Sequence, residues 1–134
     1  MTRRRIARLQ AVYYILTGVW PLASMGTFEA VTGRKTDDWL VRTVGLLAAT
    51  IGLVLGGRTL ADPSSADGHA PSGPDAALGV GSALAFATTD VIHVVRRDIS
   101  PIYLTDAAVE LALVAGWLVA RGARNGRHLA RHGQ

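Results

Sequence analysis

The chain has 134 residues, of which 49% are hydrophobic and 18% charged, and it contains no cysteine. This length fits one domain, and the lack of cysteine excludes disulfides, thiolate catalysis and cysteine-ligated metals. A net charge of +4 suits nucleic-acid binding, but the arginines lie beside long apolar stretches, so we expect no nucleic-acid partner.

Four apolar stretches dominate the sequence. Each is close to the roughly 20 residues that a helix needs to cross the ~30 Å hydrocarbon layer of a bilayer. A soluble helix carries a charged face opposite its apolar stripe, whereas residues 46–55 are apolar or small on every side. We therefore predict an all-α, membrane-embedded four-helix bundle, with a soluble helical bundle as the alternative. The predicted spans are residues 10–29, 39–57, 76–95 and 102–120.

The basic residues predict the orientation of these spans. Arginines precede the first span, follow the last one and begin the loop after the second. Basic residues beside spans mark the cytoplasmic face, so we expect both termini in the cytoplasm. The composition, rich in arginine, alanine and glycine, is typical of a high-GC bacterium and predicts a multi-pass protein of the bacterial plasma (inner) membrane. The arginines concerned are Arg3, Arg4, Arg5, Arg8, Arg58, Arg121, Arg124, Arg127 and Arg131.

The predicted domain organisation is simple. Residues 1–121 form one transmembrane domain, and residues 122–134 form a basic cytoplasmic tail. Residues 58–75, rich in proline, glycine and serine, form a flexible loop. We expect the first span to be one helix that ends near Ala30 and is kinked at Pro21, because proline removes a backbone hydrogen bond.

Aromatic residues predict depth in the membrane. Tryptophan and tyrosine concentrate at the two membrane–water interfaces. Trp39 and Tyr103 fit the outer interface, and Trp117 fits the inner one. Tyr13 and Tyr14 are expected to lie toward the inner interface.

Small residues recur every four positions on three of the spans. Such ladders allow close approach of helix backbones inside a membrane. They predict either a compact bundle or a homo-oligomer, and the spacing fits both. The ladders are Ala48, Gly52 and Gly56; Gly79, Ala83 and Ala87; and Ala108, Ala112, Gly116 and Ala120.

Six ionisable residues reach the same half of the bilayer when the spans are threaded alternately. Ionisable groups are expensive inside a membrane and mark functional sites. Asp90 and His93 are three residues apart, so they share one helix face. Asp106 and Glu110 are four residues apart and do the same. We expect one outward-facing ligand-binding pocket lined by Glu29, Arg42, Asp90, His93, Asp106 and Glu110.

Each residue also has a structural interpretation. Glu29 and Arg42, near helix ends, could form an ion pair across the short turn between them. Asp106 could be a first-turn residue favoured by the helix dipole. Asp90 and Glu110 lie too deep for their short side chains to reach water, which favours a functional or partner-bonded role.

Three chemistries fit these residues. Asp90 and Glu110 could act as catalytic acid and base on a lipid-soluble substrate, or the cluster could bind a cation or amine. The Asp90-x-x-His93 spacing is similar to half of a di-iron helix motif. The spans hold one histidine and one such pair, so we predict no metal and no cofactor.

The four-span plan with short exterior turns and Thr17-Gly18 in the first helix resembles the small DoxX-like bacterial membrane proteins. Deep acidic residues in a small four-span bundle are also similar to the sterol-isomerase-type (EXPERA) fold. The DoxX-like resemblance implies an association with membrane redox complexes. The EXPERA resemblance implies paired acids that move a proton.

Three functional hypotheses follow. The first is an integral membrane protein whose polar pocket binds a small lipophilic or cationic ligand or a partner subunit, as an accessory to a membrane redox complex. The second is a membrane-embedded isomerase or cyclase. The third is a cation- or proton-coupled oligomeric transporter, which needs polar groups continuing toward the cytoplasm. The inner halves of the second and third spans supply only Thr50, Ser82 and glycines, which argues against the third hypothesis.

Overall fold

The chain is analysed as a computed structural model that describes residues 2–60 and 73–132, with side chains up to residue 121. Five helices and no strand occur in these residues, so the predicted all-α class is confirmed. The helices are α1 (Arg3–Ala23), α2 (Met25–Thr32), α3 (Asp38–Leu60), α4 (Gly73–Val95) and α5 (Tyr103–His132).

Three helices in the described part of the chain are long and apolar enough to cross a membrane. They are α3, α4 and the first part of α5, Tyr103–Arg121. These helices are compatible with a multi-pass membrane protein. α1 is not among them, since it begins with arginines and carries Gln10 in its interior.

The first predicted span is two helices rather than one kinked helix. Pro21 lies inside α1, and the chain leaves the helical conformation three residues later, at Ser24. The Ser24 backbone is extended, with φ −154° and ψ 91°, and its side chain accepts a hydrogen bond from the Thr27 amide. Ser24 therefore caps α2, because a serine hydroxyl in this conformation satisfies an amide that has no partner in the helix.

α1 lies at the centre of the packing. It packs along α3 on one side and contacts α4 and α5 on the other, while α4 and α5 pack against each other. The backbones of α1 and α3 approach closely at Gly18, since a Cβ atom there would lie 2.8 Å from the Ala49 amide nitrogen. This close approach explains why small residues line the contact, as they do between membrane helices.

The small-residue ladders pack only in part as expected. On α3, Ala48 and Gly52 are buried, and all three ladder residues of α4 are buried. On α5, Ala108 and Ala112 are instead exposed. The buried stripe of α5 keeps Gly116 and Ala120 of the ladder but departs from its first half, because this helix turns Glu110 and Trp117 inward. That stripe comprises Ala107, Glu110, Leu113, Gly116, Trp117 and Ala120.

The prediction that Trp117 lies at the inner membrane interface is wrong. Its side chain is 2% exposed and belongs to the hydrophobic core. Trp39, by contrast, is exposed, and Tyr103 is half-buried beneath the Lys35 ammonium group, 4.7 Å from the ring centroid. Trp117 points inward because Gln10 of α1 accepts a hydrogen bond from its indole N–H.

The helices extend into the segments that were predicted as a loop and a tail. α3 continues to Leu60 and α4 begins at Gly73, so both ends of predicted loop 58–75 are helical. Residues 61–72 lie outside the described residues. At the other end, α5 continues to His132, so the last predicted span and most of the predicted tail form one continuous helix.

Candidate functional site: an acidic cluster between three helices

An acidic cluster lies where α1, α4 and α5 meet. α5 contributes Asp106 and Glu110, which are one helical turn apart, and α4 contributes Asp90. α1 contributes Tyr13 and Tyr14. These five residues are called the acidic cluster below. Adjacent tyrosines point in directions about 100° apart on a helix, which allows each hydroxyl to reach a different carboxylate.

Glu110 is the most deeply buried acid of the cluster. Its side chain is 2% exposed, and the Tyr14 hydroxyl donates a hydrogen bond of 2.9 Å to its Oε2 atom. Tyr14 is itself buried, with its ring packed edge-on against Phe86 at a centroid distance of 5.5 Å. A buried carboxylate requires such a donor, because an unpaired buried polar group costs free energy.

Asp106 lies one helical turn before Glu110 on α5, where it contacts Tyr13 and lies near Asp90. The Tyr13 hydroxyl donates a hydrogen bond to Asp106 Oδ1. The carboxyl group of Asp90, on α4, lies close enough to the Asp106 carboxyl for the two to interact electrostatically. The two acids therefore form a close carboxyl pair that bridges α4 and α5.

Asp90 has one oxygen atom that lacks a partner. The side chain is 7% exposed, and its Oδ2 atom is buried without a hydrogen bond to any described residue. Within the described part of the chain, no arginine, lysine or histidine forms an ion pair with Asp90, Asp106 or Glu110. Three carboxyl groups, two of them buried, therefore lie together without an ion pair to any described basic residue.

The acids of the cluster are not arranged as a set of metal ligands. Among the described residues, no group of three or more histidine, cysteine or acidic side chains is arranged to hold a metal ion. Because the two tyrosine hydroxyls already donate to carboxylates, the cluster is a hydrogen-bonded acidic site lined by aromatic rings.

The other three predicted site residues lie apart from the cluster. His93 Nδ1 lies 2.9 Å from Asp98 Oδ2, in a partly exposed pair at the end of α4. Glu29 accepts a hydrogen bond of 2.7 Å from the Lys35 amide. Arg42 is exposed and forms no ion pair with Glu29. The backbone of the short turn therefore supplies the hydrogen-bond donor to Glu29. The His93 side chain contacts the loop that follows α4 and not Asp90.

The sequence analysis missed the contribution of α1. Tyr13 and Tyr14 were placed toward the inner interface, but they lie within the acidic cluster. Gln10 is completely buried one turn below Tyr14 and was not considered. The signal was present, since Gln10 and Tyr14 are four residues apart and thus share one face of an otherwise apolar helix.

A column of polar groups continues from Glu110 away from the acidic cluster. Tyr14 Oη lies 3.3 Å from Ser82 Oγ. Gln10 Nε2 donates to the Gly79 carbonyl at 2.8 Å, and Trp117 Nε1 donates to Gln10 Oε1 at 2.8 Å. The third predicted span contributes Ser82 and a glycine carbonyl to this column, while α1 and α5 supply its other polar groups, Tyr14, Gln10 and Trp117.

Two surface clefts lie at opposite ends of the molecule, and neither is lined by the acidic cluster. The first, of about 400 Å³, lies between the α2–α3 turn and the α4–α5 turn, beside Lys35 and Ser100. The second, of about 430 Å³, lies at the arginine-rich end, beside Arg3 and Trp117. Neither cleft therefore gives access to the acidic cluster.

No protein-family model matches the chain, and neither a curated protein nor a solved structure matches it. The geometry of the acidic cluster therefore carries the functional interpretation.

Proposed function

We propose that the chain is a four-span integral membrane protein whose acidic cluster binds a small lipophilic cation, such as a protonated amine. In this proposal the four long helices form a bundle in a bacterial plasma membrane, and both termini lie in the cytoplasm. α2 lies on the outer side.

The apolar outer surface of α1 supports a fourth span. Beyond its first, arginine-rich turns, α1 buries its polar residues Gln10 and Tyr14 in the protein interior. Its outward side presents large aliphatic side chains that water would not favour and that lipid would accept. These exposed residues are Leu9, Val12, Leu16 and Val19.

The single observation that carries the cation hypothesis is the charge balance of the cluster. Asp90, Asp106 and Glu110 lie together without a basic partner, and Asp90 Oδ2 is buried without a hydrogen bond to any described residue. Carboxylates crowded at low dielectric repel one another strongly. A bound cation removes this repulsion and supplies the missing donor to Asp90.

The surroundings of the carboxylates favour an organic cation over a metal ion. The rings of Tyr13, Tyr14 and Phe86 lie beside the acids, and Phe86 is one helical turn from Asp90. Aromatic faces attract organic ammonium groups, and desolvation strengthens the attraction. The carboxylates then hold the charge while the rings contact the apolar part of the ligand.

Binding of N,N-dimethylbenzylamine to the protein in nanodiscs, measured by calorimetry, tests this proposal. The amine is protonated at neutral pH, and isobutylbenzene is its neutral isostere. We expect saturable binding of the amine only. Asp90→Asn and Asp106→Asn should each weaken binding by at least about tenfold, a loss of ~1.4 kcal/mol. Asp98→Asn removes an acid of the same hairpin outside the cluster and should change nothing.

Three results would contradict the proposal. They are equal uptake of the amine and its neutral isostere, unchanged binding by the folded Asp90→Asn protein, and a loss of binding in Asp98→Asn as large as that in Asp90→Asn. The helical content and monodispersity of each variant should be checked first.

The polar column favours a second function, which is cation- or proton-coupled transport. It extends the polar interior from Glu110 to Gln10 and Trp117, near the arginine-rich end. Proteoliposomes that contain a pH-sensitive dye should then report an amine-dependent change in internal pH. Gln10→Leu should abolish this change but leave amine binding intact, and its persistence in Gln10→Leu would contradict transport along the column.

A further inference from the structure

The cleft at the arginine-rich end combines basic and apolar groups. Arg3, the first residue of α1, and Arg121 of α5 both line it. The remaining surface is largely apolar and includes Val80 of α4 and Trp117 of α5. Lining residues recur along the first two turns of α4, so the cleft follows the axis of this helix.

The charge of the cleft is positive. Two arginines line it, and none of the described residues that line it is acidic. Asp75, a buried acid in the first turn of α4, does not line the cleft and lies 3.4 Å from Arg58.

The apolar part of the cleft has room for a chain of methylene groups. Apart from its own stretch of helix, no described residue has an atom within 4 Å of the position that a Cβ atom would take on Gly81. The cleft volume is about 430 Å³. Val80 and Leu118 supply aliphatic contacts, and the exposed fraction of Leu118 is 56%.

We propose that this cleft binds an anionic phospholipid. The phosphate lies between Arg3 and Arg121, since arginine forms strong charge-assisted hydrogen bonds with phosphate. One acyl chain lies along α4 against Val80 and Trp117. The proposal rests on the membrane placement of the helices and is independent of amine binding, because the cleft and the acidic cluster share no residue.

Quenching of Trp117 by brominated lipids tests the proposal. Trp20→Phe and Trp39→Phe leave Trp117 as the sole tryptophan of the full chain, and bromine on an acyl chain quenches an indole that it touches. The protein is placed in phosphatidylcholine vesicles containing brominated phosphatidylglycerol or, separately, brominated phosphatidylcholine. We expect the anionic lipid to reach half-maximal quenching at a mole fraction roughly fivefold lower, as ~1 kcal/mol from one basic residue implies.

Substitutions identify the site. Arg3→Gln combined with Arg121→Gln should make the two lipids equally effective. Arg5→Gln removes an exposed arginine of the same helix end that does not line the cleft, so the preference should persist. Gly81→Leu fills the groove without a clash in the protein and should reduce quenching by both lipids. This last variant keeps both arginines and tests the acyl-chain groove separately.

Any of four results would overturn the proposal. Equal quenching by the two lipids in the parent protein would make the cleft an ordinary lipid contact. An equal loss of preference in Arg5→Gln would assign the effect to general surface charge. Suppression of the preference by inorganic phosphate would assign the cleft to a soluble anion. Unchanged quenching in Gly81→Leu would exclude an acyl chain from the groove.

Discussion

The Tyr14 hydroxyl donates a hydrogen bond of 2.9 Å to the Glu110 carboxylate, and both side chains are almost completely buried. The two residues are separated by 96 positions in the sequence. Their bond joins α1, which packs on α3, to α5, which packs on α4. It therefore connects the two helix pairs through the polar interior of the protein.

Tyr14→Phe should destabilise the protein by about 0.5–2 kcal/mol, the range for a hydrogen bond lost from a buried acid. The substitution keeps the ring and its contact with Phe86 but leaves Glu110 without its donor. Reversible unfolding in mixed micelles measures the loss. Tyr103→Phe is the matched control, because the Tyr103 hydroxyl makes no hydrogen bond in the described residues, and it should unfold like the parent. Equal stabilities of the two variants would contradict the assigned role.

Gly18→Ala should destabilise the protein by about 1–3 kcal/mol, because the added methyl group forces α1 away from α3. Its Cβ atom would lie 2.8 Å from the Ala49 amide nitrogen and closer still to the Gly45 carbonyl oxygen. Gly57→Ala makes the same change on α3, where no described residue outside that stretch of helix has an atom within 4 Å of the added Cβ atom. It should stabilise the helix by up to ~1 kcal/mol. Changes of the same sign in the two variants would show that α1 and α3 are not in close contact.

Arg97→Gly should stabilise the protein by up to ~1 kcal/mol, because arginine is strained in the left-handed conformation and glycine is not. Arg97 has φ 64° and lies two residues after the last residue of α4. Its amide donates a hydrogen bond of 3.0 Å to the Val94 carbonyl, and the Asp98 amide donates one of 2.9 Å to the His93 carbonyl. These are the contacts of a Schellman cap. Arg96→Gly removes the same charge at a residue without a positive φ and should be neutral or destabilising. A thermal unfolding series of both variants distinguishes these outcomes.

Labelling of single introduced cysteines should show that the chain crosses the membrane four times, since the chain contains no cysteine of its own that would react. Cysteines replacing Thr36 and Ser100 lie in the α2–α3 and α4–α5 turns. In intact cells a membrane-impermeant maleimide should label both. A cysteine replacing Thr2, before α1, should react only after the membrane is opened. Labelling of Thr2 and Thr36 from the same side would exclude α1 as a span.

The sequence identified the acids of the cluster but not their partners. Asp90 and Glu110 could be singled out because a short acidic side chain deep in an apolar stretch has no route to water. Tyr13 and Tyr14 could not be assigned to these acids, since helix contacts between α1 and α5 depend on how the helices are rotated. His93 illustrates the same gap, because shared position on a helix face does not fix which neighbour a side chain meets.

The amino-acid sequence by itself determined the all-helical class and the presence of apolar helices long enough to cross a membrane, because these properties depend on local composition and length. The tertiary structure decided which side of each helix faces inward. It ended α1 before Ser24, turned Trp117 into the core and separated Glu29 from the acidic cluster. Such outcomes depend on the rotation and approach of neighbouring helices, which are set by contacts between residues far apart in the chain.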